Sequence, residues 1–156
     1  MVKTLLKFAR DEVFLPLMKR PRRLQVAALC MRKSARGPEV LLITSRGTKR
    51  WILPKGWPEK GHDASGSALR EAWEEAGVKR ATASSEPVGH YTSVKRSDSG
   101  LVEPCDMLVF RVDVHEMTTD FPERGQRQLS WVSPETAAQM VDEQGLKDIF
   151  LGLSKA

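Results

Sequence analysis

The stretch GHDASGSALREAWEEAGV, residues 61–78, sets three glutamates among small residues. Glu71, Glu74 and Glu75 stand at spacings i, i+3 and i+4, with Arg70 just ahead of them. Like charges at such spacings cost a few tenths of a kcal/mol each in an isolated helix. Either water screens them, or a cation offsets the repulsion. The rest of the stretch predicts a helix: Asp63 suits the N-cap and Gly77 the left-handed residue that ends it. At 100° per residue, Leu69, Ala72, Trp73 and Ala76 share one face, and the three glutamates the other.

Outward from this helix, the pattern alternates strand and helix. "LQVAALCMRK" (24–33) is β-like and nearly all apolar, as a central strand should be. "ARGP" marks a turn before a second strand, "EVLLITSR" (39–46), and "WILP" (51–54) is a brief strand stopped by Pro54. The loop "KGWPEKG" then enters the helix. Beyond it, 86–96 and 105–117 read as paired strands around "SDSG", and "LSWVS" (129–133) as a last strand. Ser133 caps "PETAAQMVDE" with Pro134 at its first position, and a final helix covers about 145–153. Strands interleaved with helices predict an α/β fold, a mixed sheet with helices on both faces in an α/β/α sandwich. Residues 1–21 read as an N-terminal amphipathic extension and 22–156 as one domain.

The 156 residues are 40% hydrophobic and 29% charged, which suits one globular domain. No apolar run reaches the roughly 18 residues of a membrane span, and acidic residues at 11 and 12 break the opening apolar stretch, so neither a membrane anchor nor a secretory signal is expected. Cys30 and Cys105, in "AALCM" and "PCDML", lack metal or redox spacing and read as buried reduced thiols, which points to the cytoplasm. Residues 1–50 hold 13 Lys/Arg against 3 Asp/Glu; the remainder holds 12 against 17. A cationic first third beside an acidic remainder suits an anionic substrate near an acidic metal site, or else a solvated basic surface with weak nucleic-acid contact.

From Gly56 onward the chain reads G-x5-H-x7-R-E-A-W-E-E-A-G-V. This resembles the Nudix box, G-x5-E-x7-R-E-U-x-E-E-x-G-U with U aliphatic. Gly56, Arg70, Glu71, Glu74, Glu75, Gly77 and Val78 match; His62 stands where the family has its first glutamate. Cleaving a phosphoanhydride requires neutralised phosphate oxygens and an in-line activated water. Magnesium prefers carboxylate and water oxygens, which an i, i+3, i+4 set on a rigid helix can supply.

The resemblance implies Glu71 and Glu75 as the main Mg²⁺ ligands, with Mn²⁺ the alternate ion and the Lys55 carbonyl a further ligand. It implies that Glu74 orients or deprotonates the attacking water with some metal contact, and that Arg70 orients the glutamates. The missing first glutamate leaves Asp63 or Glu59 to hold Arg70. "EVLLITSRGTKRWILPKG" and "FPERGQRQLSWVSPETA" are similar to stretches of diphosphoinositol polyphosphate phosphohydrolases, which also cleave diadenosine polyphosphates. The matching positions imply substrate contacts at Thr44, Ser45, Arg46, Arg50, Lys55, Gly56 and Arg127, with Lys95 and Arg96 in a similar basic segment. Taken singly, each cation reads equally as a solvated strand edge. Trp51, Trp73 and Trp131 read as core; Trp57 reads as cleft wall or packing.

The function these features imply is Mg²⁺-dependent hydrolysis of a small polyphosphorylated substrate, of the diphosphoinositol or diadenosine polyphosphate type, by a monomer or homodimer. The alternatives are an RNA 5′-end or nucleotide-sanitising pyrophosphohydrolase, and a catalytically silent ligand- or nucleic-acid-binding module.

Overall fold

The computed structural model describes residues 23–96, 100 and 102–155, with no side-chain description for Lys95, Arg96 and Val102. The expected N-terminal helix over 1–21 lies outside the described residues, as do three of the four residues of the "SDSG" turn.

The strands are β1 (Arg23–Ser34), β2 (Gly37–Thr44), β3 (Trp51–Ile52), β4 (Lys55–Gly56), β5 (Val78–Ala83), β6 (Gly89–Arg96), β7 (Val102–Met117) and β8 (Leu129–Val132). The described helices are α1 (Ala64–Ala76), α2 (Pro134–Met140) and α3 (Gln144–Ser154). One eight-stranded sheet runs β3-β2-β1-β7-β5 along its main path, with β4 joining β1, β6 joining β7 and β8 joining β2. The β1–β7 pairing is parallel, from Arg23 opposite Cys105 to Met31 opposite Asp113, and the others are antiparallel. The sheet is therefore mixed, as expected.

The apolar run of β1 follows from burial on both faces. Ala27, Leu29 and Met31 point to a core shared with Ala137 and Ala138 of α2 and Leu146 and Phe150 of α3. Val26, Ala28 and Cys30 point to a second core closed by Ala68, Ala72 and Ala76 of α1. Helices on both faces make the α/β/α sandwich predicted from the sequence. Cys30 and Cys105 are both buried, and burial pushes the Cys30 thiol up to about 12, leaving it inert.

α1 begins and ends as its residues dictate. The Asp63 carboxylate accepts from the Gly66 N–H at 2.8 Å, a cap worth about 1 kcal/mol, and Gly77 closes the helix at φ 77°. A side chain at Gly77 would also strike the Thr118 carbonyl and the Phe121 ring. Its packing face differs from the expectation: three alanines carry it, and Trp73 is 37% exposed. Small residues let the helix lie close to the sheet, and an indole is too large to fit beneath it. Two strands were not foreseen, β4 in the loop before the helix and β5 directly after it.

Candidate active site

Close helix–sheet packing brings the β4 backbone under the carboxylate face of α1. Glu71 and Glu75 are 9% and 6% exposed, so this face is covered by protein rather than bathed in water. A Cβ added at Gly56 would fall inside the Glu71 carboxylate, so a side chain here would force that carboxylate to move. The Lys55 N–H donates to Glu75 Oε2 at 3.2 Å. Gly56 is thus held beside the first glutamate, and Lys55 beside the last.

The electrostatics follow from the burial. Glu71 is pushed up to about 8, first by desolvation and then by Glu75, Glu74, Glu123 and Glu59. Its carboxylate has no hydrogen bond or ion pair among the described residues. Glu75 is raised to about 7 by desolvation, opposed by Arg127, the Lys55 N–H and the Lys55 charge. The Arg127 side chain is only 6% exposed; Nη2 lies 3.4 Å from Glu75 Oε1 and 3.1 Å from Glu123 Oε1. Its Nη1 donates to the Thr44 carbonyl at 3.1 Å, while Nε is buried without a hydrogen-bond partner among the described residues.

Glu74 occupies the outer edge of the face. Arg70 Nε donates to Glu74 Oε1 at 2.8 Å and lies 3.2 Å from Glu59 Oε2. The hydrogen bond to Glu74, then the charges of Glu59 and Glu74, raise the Arg70 pKa above its ordinary value. Of the two candidates for holding Arg70, Glu59 does so and Asp63 caps the helix. His62 Nε2 lies 3.9 Å from Glu59 Oε2, at the rim of the same cluster. Among the described residues no three acidic, histidine or cysteine side chains already converge at metal-ligand spacing. Arg70 bridges Glu74 and Glu59 at the edge of the face.

A cleft of about 620 Å³ opens beside this face, lined by Gln25, Ser45, Thr48, Arg50, Lys55 and Ser93, among others. Lys55 joins the two regions, its N–H on Glu75 and its Nζ 3.3 Å from Gln25 Oε1. Three of the substrate residues read from the sequence, Ser45, Arg50 and Lys55, meet in this cleft. Thr44 is buried, its hydroxyl accepting from the Gln128 N–H at 2.9 Å and its carbonyl holding Arg127. Arg46 lies by Glu123 and Gln126, at 3.5 and 3.2 Å. Trp57 is 41% exposed, with the Arg23 guanidinium 5.7 Å from its ring centroid. Sequence reasoning missed Gln25 and Ser93. Gln25 lies near the start of a run that reads as a central strand, and Ser93 sits mid-strand in a segment that reads only as one of a pair, so neither has a local signal of reaching a cleft. Glu123 joins the cluster through the Glu123 N–H to Glu74 carbonyl bond of 2.9 Å and through Arg127.

The NUDIX domain family model matches residues 21–150. Diphosphoinositol polyphosphate phosphohydrolase 3-alpha of Mus musculus is 50% identical over 56 residues, which make up 35% of this chain and 34% of that protein. The matched stretch thus spans about a third of this relative. The Ap4A hydrolase of C. elegans superposes with a TM-score of 0.65 at 20% identity, over 86% of this chain and 97% of that one. The E. coli dihydroneopterin triphosphate pyrophosphohydrolase superposes with a TM-score of 0.63 at 16% identity, over 86% and 97%.

Proposed function

Because the chain belongs to the NUDIX domain family, we propose that it hydrolyses a phosphoanhydride bond in a polyphosphorylated small molecule, at the carboxylate face of α1. The observation that carries this reading is the pair Glu71 and Glu75: buried, raised to about 8 and about 7, and shaped around a glycine. Two acids held near neutrality at such depth are costly unless a cation shares them.

The residues fit a divalent cation, Mg²⁺ or Mn²⁺. Glu71 and Glu75 would hold it with help from Glu74 and the Lys55 carbonyl, an all-oxygen set. Bound there, such an ion supplies charge neutralisation for the phosphate oxygens. The chain's own residues do the rest. Glu74, at the exposed edge, accepts a proton from the attacking water. Arg70, steadied by Glu59, fixes the Glu74 carboxylate. Arg127 holds Glu75 and Glu123 in place from beneath. Ser45, Arg50 and Lys55 supply donors to the substrate in the cleft. Arg46, Lys95 and Arg96 are the candidates for the outer contacts, whereas Thr44 is buried and acts through its bonds to Arg127 and Gln128.

The similarity to a diphosphoinositol polyphosphate phosphohydrolase and to an Ap4A hydrolase supports these two substrate types. A silent binding module would have no use for a buried acidic pair, which weighs against that alternative.

Hydrolysis with Mg²⁺, read by chromatographic separation of the products, is to be measured on diadenosine tetraphosphate, diphosphoinositol pentakisphosphate, nucleoside triphosphates and 5′-triphosphate RNA. Turnover of one or more is expected. Glu74→Gln is expected to lower kcat at least about a hundredfold with the fold intact, the scale of losing a positioned base. Hydrolysis of none of them would overturn the reading, and a Glu74→Gln enzyme within a few-fold of wild type would move the base to Glu123.

A further inference from the structure

Behind the cleft wall stands a carboxylate that the reaction does not use. Glu143 occupies the N-cap position of α3, yet its side chain makes no cap hydrogen bond. It reaches instead to the cleft, where Oε1 accepts from Arg50 Nη1 at 3.1 Å and from Ser93 Oγ at 3.3 Å. The side chain is 8% exposed, and Oε2 is buried without a hydrogen-bond partner among the described residues. Asp142, exposed, lies 3.7 Å from the same Arg50 nitrogen, and Arg50 Nε donates to Thr48 Oγ1 at 3.2 Å. Only Nη2 of this guanidinium is without a partner among the described residues.

An amide at position 143 would accept the same two donors. Hydrogen bonding alone therefore does not account for a carboxylate, and a buried charge with one oxygen unpaired is destabilising. What the carboxylate adds is charge. Among the described residues, Arg50 and Lys55 are the cations that line the cleft. Glu143, with Asp142 beside it, cancels the pull of Arg50 on a further anion but leaves its free N–H groups able to donate. A paired guanidinium of this kind recognises uncharged acceptors such as a hydroxyl, a carbonyl or a ring nitrogen. A ring carrying a phosphate on every carbon would set an anion against Glu143.

We propose that Glu143 is a positioning residue for specificity: by holding and neutralising Arg50, it fits the cleft to the uncharged, hydrogen-bonding sugar and base of a nucleoside at the end of a polyphosphate, and disfavours a densely phosphorylated ring. The proposal rests on the hydrolase reading above and chooses between its two substrate types.

Binding without turnover tests it. Wild type, Glu143→Gln and Asp142→Asn are titrated calorimetrically, in EDTA, with diadenosine tetraphosphate and with inositol hexakisphosphate. Wild type should bind the dinucleotide at least about tenfold more tightly. Glu143→Gln keeps the size and the acceptor but removes the charge. It should strengthen hexakisphosphate binding and shift the ratio by about tenfold, whereas Asp142→Asn, at an exposed side chain, should shift it by about twofold the same way. With Mg²⁺, the ratio of KM values for diphosphoinositol pentakisphosphate and diadenosine tetraphosphate should move in parallel, with kcat nearly unchanged. Parallel weakening of both ligands in Glu143→Gln would make the residue merely structural and overturn the proposal. A wild-type preference for the hexakisphosphate, or an unchanged ratio in both variants, would also overturn it. If Glu143→Gln does not fold, the ratio in Asp142→Asn decides alone. Failure of the hydrolase reading looks different: wild type would hydrolyse none of the substrates, whatever the binding ratio.

Discussion

Arg70 stands between two carboxylates, 3.2 Å from Glu59 and 2.8 Å from Glu74. Half-exposed ion pairs of this kind add little to stability, so their use is to orient Glu74. Glu59→Gln should therefore lower kcat about tenfold while the melting temperature barely moves. His62→Glu alone should leave kcat within a few-fold of wild type. Placed beside Glu59→Gln it should recover most of the loss, because position 62 reaches the same cluster. Steady-state kinetics on the single and double variants measure the coupling; purely additive losses would mean that Arg70 is held by other groups. At this scale the sequence showed which residue lacked its usual partner and offered Glu59 or Asp63. The choice was not legible because it depends on the path of the loop. Asp63, at the N-cap, is committed to the Gly66 N–H, whereas Glu59 lies where the loop folds back toward Arg70.

The strand–loop–helix unit depends on one close approach, β4 against α1. Gly56→Ala should push the Glu71 carboxylate aside, lowering Mg²⁺ affinity and kcat by more than about tenfold; calorimetric Mg²⁺ titration and kcat measure both. Wild-type metal affinity in that variant would mean that the loop yields without disturbing the site. Most elements were legible because their signals are local: the cap and left-handed glycine of α1, the doubly buried run of β1, and Ser133–Pro134 opening α2. β4 and β5 were not. β4 is two residues long, and what makes it a strand is its register, Gly56 opposite Val26 and Lys55 opposite Ala27, a contact with no local pattern. β5, VKRATA, pairs with β7 through register shifts between Val78 and Ala81, so its alternation is broken. The place of Trp73 was also illegible, because helical periodicity marks a side but not how much room lies beneath it.

Across the whole molecule, the buried glutamates tie stability to pH and to metal. Their folded-state pKa values lie above the ordinary 4.5, reaching about 8 for Glu71 and about 7 for Glu75. The folded, metal-free protein thus binds more protons than the unfolded chain between these limits. The associated stability is complete below pH 4.5 and is lost as pH rises through the folded values. In EDTA, the melting temperature should fall between about pH 5 and pH 8 from this source. Millimolar Mg²⁺ should oppose the fall and gain affinity as the protons leave. Thermal unfolding across that range, with and without Mg²⁺, checks both; a Glu71→Gln, Glu75→Gln variant should show neither effect. At the same scale, β1 lies parallel to β7, residue 23 opposite residue 105. The first described strand therefore waits for a neighbour about eighty residues downstream. At ribosomal speeds of about 5–20 residues per second, that wait lasts on the order of 4–16 s. Throughout it, the Val26–Met31 run lacks its central partner and leaves apolar surface uncovered. Pairing across such a long loop also makes refolding slow, on the millisecond-to-second scale typical of non-local topologies.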